Sequence, residues 1–284
     1  MKHGDPRPLL YQFAVFPRRE EWLTQLAALA EPENWSFQHE RAGEDEPHPI
    51  LHSYIVYTFA KLKEQAEAGD PTIAEKMADG RRYACFDTGL ATPSQQHIYA
   101  FFGENTNPAV APWYFYGFHT VSDRIFPWSS GDELPALAEY FEDAADLIYD
   151  RRLDLQLDYE HILEDHLEDR FPEPLHSNPS LARNALIGTE AQIRDRVYRN
   201  YKTAVPQYWR GRIQLLLPLC LLQDGKADLA LVVEKEREGR CYRGNTVLTL
   251  DMAYSNARLL ARPDPDWLSQ AEESERLPPG APMD

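Results

Sequence analysis

The chain lacks most of the signatures that classify a protein at sight. It has three cysteines, Cys85, Cys220 and Cys241, odd in number and widely scattered. That argues against a disulfide framework and for a reducing, cytoplasmic setting. Neither Cys-x-x-Cys nor His-Glu-x-x-His occurs, so there is no zinc motif. Gly-x-Gly-x-x-Gly, Walker A and Gly-x-Ser-x-Gly are also missing, which removes the common dinucleotide, P-loop and serine-hydrolase patterns. No apolar run approaches the ~18 residues of a membrane span. The N-terminal MKHGDPRPLL has no apolar core and no small-residue cleavage site, so no secretory leader is expected. Basic residues are scarce, 29 Lys and Arg against 46 Asp and Glu, for a net charge of −17.

What is present is an ordinary globular composition, 43% hydrophobic over 284 residues, enough to bury a core unaided. The charge is unevenly placed. Asp132 to Glu173 holds 15 acids and 3 bases, and Asp264 to Asp284 holds 6 acids and 1 base. These blocks carry all of the net charge. Against them stands one basic stretch, Arg194, Arg196, Arg199, Lys202, Arg210 and Arg212, interrupted only by Asp195. A local basic patch on an acidic chain suits phosphate binding while discouraging indiscriminate nucleic-acid contact.

Periodicity divides the chain into mixed elements. Tyr11–Phe16 alternates and predicts a strand. Glu20–Ala30 and Ile50–Glu67 predict helices, with a loop at 40–49 between them. Asp70–Arg82 is polar and predicts a loop or short helix. Tyr83–Leu90, Gln96–Phe102 and Trp113–Phe118 predict strands, and Leu134–Tyr149 and Tyr159–Phe171 predict helices. Three prolines at 172–180 mark the place where two lobes would meet, near 172–188. Thr189–Ala204 predicts a helix opened by a Thr189/Gln192 capping box and stopped at Pro206. Ile213–Leu222 and Ala227–Glu234 are apolar enough for strands buried on both faces. A turn at 237–240 leads to a partner strand, Cys241–Leu250, and a helix begins at Asp251. The fold class expected is α+β, a mixed or mainly antiparallel sheet flanked by helices. One compact domain covers 1–268, and the acidic, Pro-rich 269–284 is expected to be disordered.

Several constellations could carry chemistry. In the basic stretch, Arg196, Arg199 and Lys202 share a helix face, with Arg210 and Arg212 beyond it. Arginine's planar fork matches phosphate, and Tyr201, Tyr208 or Trp209 could stack on a base. A solvated helix pairing with the acidic block reads the same residues structurally. Asp251 stands where a strand meets a helix, followed by Asn256 and Arg258; an N-cap aspartate in a buried polar network is the plain reading. Asp87-Thr88-Gly89 closes a strand. One copy does not make an aspartic protease, and a turn explains it, although Asp87 and Thr88 could hold a ligand hydroxyl. His161 with Asp158 and Asp165 shares a helical face, as nearly any histidine in so acidic a segment would. Glu234 closes an apolar strand and, with Asp251, is the candidate general base or metal carboxylate. A divalent metal is compatible with such carboxylates, but no metal ligands are assigned and the cofactor stays open.

Long strings resemble one family. NYKTAVPQYWRGRIQLLLPLCL, ADLALVVEKE and TVLTLDMAYSNARLLARPDPDWL, with CFDTGLATPSQQHIYAFF and HILEDHLEDRFP, are similar to a bacterial family of unknown function, number 3825, over roughly residues 10–268. Its members more often carry asparagine where this chain has Asp87. The resemblance implies no reaction. It does imply attention to Asp87, Thr88, Gly89, Tyr99, Asn200, Lys202, Gln207, Glu234, Asp251, Asn256 and Arg258. Some members are joined to LOTUS-type (OST-HTH) domains associated with RNA; no such second domain is recognised here.

Two readings follow. The first is an RNA- or nucleotide-recognising domain, including an RNA-end-processing enzyme, with phosphates on Arg196, Arg199, Lys202, Arg210 and Arg212. Its inner polar cluster would be Glu234, Asp251, Asn256 and Arg258. The second is a regulatory or protein-interaction module whose basic helix docks on an acidic surface, or which meets a protein partner through 132–173. A small-molecule nucleotide enzyme would instead need a closed pocket of ligand size.

Overall fold

The computed structural model describes residues 7–36, 48–129, 131–236 and 239–263. The expected tail at 269–284, most of the loop at 40–49 and the first half of the 237–240 turn lie outside the described residues. The architecture is α+β, with two five-stranded mixed sheets and seven α-helices among the described residues.

The first sheet contains β1 (Ala14–Val15), β2 (Ile73–Ala78), β3 (Arg81–Ala91), β4 (His97–Glu104) and β5 (Trp113–His119), in the order β1-β5-β4-β3-β2. Only the β1–β5 pair is parallel. The second sheet contains β6 (Asp154–Leu157), β7 (Val205–Trp209), β8 (Arg212–Leu219), β9 (Leu229–Lys235) and β10 (Cys241–Leu248), in the order β6-β10-β9-β8-β7. Here only β6–β10 is parallel, and β9 and β10 form the antiparallel pair that the sequence predicts.

Helices α1 (Arg7–Phe13), α2 (Arg19–Leu29), α3 (Pro49–Ala68) and α7 (Leu250–Arg258) pack into a core shared by both sheets. From the first sheet it takes Phe86, Ile98 and Phe102, and from the second Val205, Leu216, Ala230 and Val232. Helices α4 (Tyr159–Arg170), α5 (Glu173–His176) and α6 (Pro179–Arg199) cover the opposite face of the second sheet. There they meet Leu215, Leu217, Leu219, Leu231 and Val233. Alternation along β8 and β9 therefore supplies two cores at once, which is why both read as near-continuous apolar runs. A smaller cluster of Cys85, Tyr99, Phe101, Phe126 and Trp128 covers the far face of the first sheet. All three cysteines are free and buried.

Several expectations are corrected. Tyr11–Phe13 ends helix α1, and only Ala14–Val15 pairs as strand. Asp70–Arg82 holds β2 and a hairpin turn in which Asp79 and Gly80 both have positive φ, the Asp-Gly signature of a type I′ turn. Leu134–Tyr149 is extended apart from one 3-10 turn at Ala144–Leu147. Its backbone hangs on neighbours instead: Ala136 N–H donates to Pro71 O and Glu139 N–H to Gln65 Oε1. Leu137, Phe141 and Ile148, members of the supposed apolar stripe, are exposed. Helix α6 begins ten residues before Thr189, where Asn178 Oδ1 accepts the Leu181 N–H. Thr189 lies mid-helix and donates to Ala185 O. The helix stops at Arg199, and Pro206 sits in β7, an edge strand where a missing N–H costs nothing. The α7 cap position is Thr249, so Asp251 lies inside the first turn.

Gly89 shows how tightly the first sheet is fitted. It has φ +73° within a bulge of β3, and a Cβ there would come 2.5 Å from the Tyr54 hydroxyl of α3. Gly89→Ala is expected to cost roughly 2–4 kcal/mol, combining backbone strain with overpacking. Urea unfolding checks this; a midpoint equal to the parent's would show that the bulge accepts a side chain.

Candidate functional site

The basic stretch does not form one surface. Arg194 donates to Leu155 O at 2.6 Å and to Glu190 Oε1 at 2.9 Å, tying α6 to β6. Arg196 turns to Cys220, 3.3 Å from its Sγ. Arg199 pairs with Asp195 one turn back at 2.5 Å, both exposed. Arg210 occupies the β7–β8 turn with its guanidinium 5.3 Å from the Trp209 ring centre. Arg212 pairs with Glu234 at 2.6 Å. Asn200 caps the turn after α6 by accepting the Lys202 N–H, and Lys202 borders an apolar hollow beside α7.

Two hollows lie on opposite faces of the second sheet. The first is an open groove of about 770 Å³, floored by Val197, Leu215, Val233 and Tyr242. Tyr149 stacks on Tyr242 at 4.4 Å. Tyr198 and Tyr201 stand on its rim, 65% and 67% exposed. Arg151, Arg152, Arg199 and Lys235 line it, against Asp146 and Asp150. Arg151 lies 4.6 Å from the Tyr198 ring centre and donates to Tyr198 O. Arg152 pairs with Asp150, whose carboxyl is held down at about 2 by that guanidinium and the Arg152 N–H.

The second is a cavity of about 540 Å³ between the start of α3, α7 and the second sheet. It brings together Gln207, Asp251 and Asn256, all expected from the sequence, with Arg170, Trp209 and Gln214. A chain of amides crosses it: Asn256 Nδ2 donates to Gln207 Oε1 at 3.1 Å, and Gln207 Nε2 to Gln214 Oε1 at 2.9 Å. Gln214 Nε2 continues to Glu234 Oε2 at 3.2 Å, so Glu234 ends the chain outside the cavity. Asp251 Oδ1 is buried without a hydrogen-bond partner. Arg170 donates to Val247 O and has no carboxylate within ion-pair distance among the described residues; burial pulls its pKa below the ordinary arginine value. Trp209 and Tyr57 form an aromatic pair 6.5 Å apart.

Arg170, Arg151 and Arg152 were missed by the sequence reading, although a signal existed: they are the three bases within the acidic block. Of the other candidates, Asp158 caps α4 and His161 lies 3.6 Å from Asp165. No group of three or more His, Cys, Asp or Glu side chains converges as a metal site among the described residues.

Arg258 and the Asp87 turn are internal. Arg258 Nε bonds both oxygens of Glu33, at 2.8 and 3.0 Å, with side-chain exposures of 11% and 4%. Its guanidinium lies 5.0 Å from the Trp35 ring and 4.7 Å from that of Tyr54. Asp87 accepts the Gly89 N–H at 2.9 Å and faces His97 Nδ1 at 2.7 Å. Thr88 donates to Ile98 O, and Tyr99 packs on Phe126 with burial pushing its hydroxyl up to about 12.

An α+β protein with an aromatic-basic groove and a polar cavity on either side of one sheet is what these elements define. Residues 26–267, well over half of the chain, match the family described as a domain of unknown function (DUF3825), and the chain belongs to that family. Comparison with curated proteins and with solved structures finds no match. No helix among the described residues is long and apolar enough to cross a membrane.

Two predictions follow from the internal groups. Arg258→Ala leaves the Glu33 carboxylate buried and unpaired, and should lower stability by about 3–5 kcal/mol in chemical denaturation. Glu33→Gln combined with Arg258→Met should recover much of that loss. Burial raises the Asp87 carboxyl above its usual range despite the opposing Gly89 and His97 contacts. Its ionised form is therefore less favourable folded than unfolded, and that stability deficit opens as pH rises above about 4. Asp87→Asn should gain stability relative to the parent across that window in pH-resolved thermal melts; a constant difference at all pH values would contradict the assignment.

Proposed function

We propose that this protein recognises single-stranded RNA along the open groove between the 145–152 segment and the end of α6. The observation that carries the reading is the exposed Tyr198–Tyr201 pair flanked by Arg151, Arg199 and Lys235 on a chain of net charge −17. Stacking on exposed rings tolerates any base, and the flanking cations follow the phosphates. The Arg199–Asp195 and Arg152–Asp150 pairs are exposed at the arginine, so phosphate can replace either carboxylate at little cost. The apolar floor gives sugars and bases a surface to cover.

The phosphate set is thereby narrower than the basic stretch. Arg199 stays in it, Arg151 and Lys235 join it, Lys202 borders the hollow beside α7, and Arg196, Arg210 and Arg212 serve contacts elsewhere. Anisotropy of a short fluorescent RNA tests this. Affinity should fall steeply with salt. Tyr198→Ala with Tyr201→Ala should weaken binding at least about tenfold, since each stack contributes about 1–3 kcal/mol. Arg199→Glu with Lys235→Glu should abolish binding with the fold intact by circular dichroism. Affinity unchanged by both pairs overturns the reading.

A further inference from the structure

The cavity beneath α7 lies on the other face of the second sheet from the groove, and it is chemically unfinished. Two of its features call for a partner the chain does not supply, and two more shape what that partner can be. Asp251 Oδ1 is an acceptor shut away from solvent with no donor. A buried polar atom left so costs about 1–3 kcal/mol, and turning the carboxylate toward a ligand N–H or O–H in the cavity would relieve it. Arg170 brings a half-buried cation that donates to Val247 O and feels the charges of Asp165 and Asp169, but has no carboxylate within ion-pair distance among the described residues. An anion is the natural counterpart of such a guanidinium. Gln207 and Asn256 are already hydrogen-bonded to each other, which holds their amide planes in place across the wall. Trp209 and Tyr57 add flat apolar surface.

The volume, about 540 Å³, lies within the range of small-ligand pockets. A ligand that meets these features has a planar heteroaromatic ring, a hydroxyl or ring N–H donor, and an anionic group. A simple aromatic acid would satisfy Arg170 and Trp209 but leave Asp251 unanswered.

We propose that this cavity binds a free nucleoside monophosphate: the base lies against Trp209, the phosphate meets Arg170, and a ribose hydroxyl or base N–H donates to Asp251. The site is independent of the groove. The Arg170 contact gives the ligand its phosphate requirement, and the Asp251 contact its donor requirement. The amide chain leading from Gln207 through Gln214 to Glu234 and Arg212 keeps the wall rigid, so the pocket is formed before the ligand arrives.

Calorimetric titration of the full chain with AMP, GMP, CMP and UMP, with the matching nucleosides and with inorganic phosphate, tests the assignment. At least one monophosphate should bind saturably and at least about tenfold tighter than its nucleoside. Asp251→Asn, nearly isosteric, should weaken it by about tenfold or more. Arg170→Gln should erase the preference for the monophosphate over the nucleoside. Met252, 44% exposed where it lines the cavity, offers a second route should Arg170→Gln unfold: Met252→Trp fills the pocket from outside and should abolish binding. The groove variant Tyr198→Ala with Tyr201→Ala should bind the monophosphate as the parent does, which separates this site from strand recognition. Absence of saturable binding by all four monophosphates overturns the proposal. So does monophosphate binding that Asp251→Asn and Met252→Trp leave unchanged, or that the groove variant abolishes.

Discussion

The arrangement of this molecule turns on the ion pair between Arg258 and Glu33. Both side chains are almost fully withdrawn from water, and the guanidinium lies near the rings of Trp35 and Tyr54. Tyr254, one turn earlier, donates to the same carboxylate. Glu33 and Trp35 follow α2, Tyr54 belongs to α3, and Arg258 ends α7. One buried contact therefore ties the last helix to the layer that covers the first sheet. Because α7 follows β10 within two residues, the second sheet is held by the same pin. Such a pair gains little over an apolar substitute but is expensive to break. The position of α7 is fixed by that asymmetry, and with it the positions of Asp251 and Asn256 at the cavity wall.

The charge distribution acquires a meaning only in three dimensions. Most acids of the 132–173 block lie outside both hollows, and several have local duties: Asp143 and Asp158 cap helical turns, and Asp132 accepts from Lys76 and Ser129. The three arginines of that block behave differently. Arg151 and Arg152 line the groove and Arg170 lines the cavity. The basic stretch shows the converse. Arg194, Arg196 and Arg212, conspicuous in sequence, are engaged with Leu155 O, Cys220 and Glu234. Counting cations along the chain thus overstated the second group and missed the first, because a side chain's availability depends on what lies opposite it.

How much could be read beforehand follows the same logic. Burial on one or two faces of an element leaves a periodic trace in that element itself. Helices α2, α3 and α4, strands β3 to β5 and the β8–β10 meander were legible for this reason, and so was the α+β class. The turn signal Asp79-Gly80 was equally present and went unused. Leu134–Tyr149 misled because an amphipathic spacing says nothing about whether a neighbouring surface is there to receive it. Here Pro71 and Gln65 take the segment's backbone instead.

Within the candidate site, Asp251 and Asn256 were identifiable from their places at a strand end and in an apolar helix, and Gln207 from the family resemblance alone. Their meeting in one cavity was not, since β7 and α7 are brought together by sheet order and by the Arg258 pin. Arg258 itself was chosen as a ligand residue and proves to be that pin. Sequence alone determined the local elements, the acidic character and the family. Tertiary structure decided which charged groups find an opposite charge within the chain and which, like Asp251 and Arg170, line a cavity instead. That outcome depends on contacts between distant segments, such as Glu33 and Arg258, 225 residues apart, which no local pattern encodes.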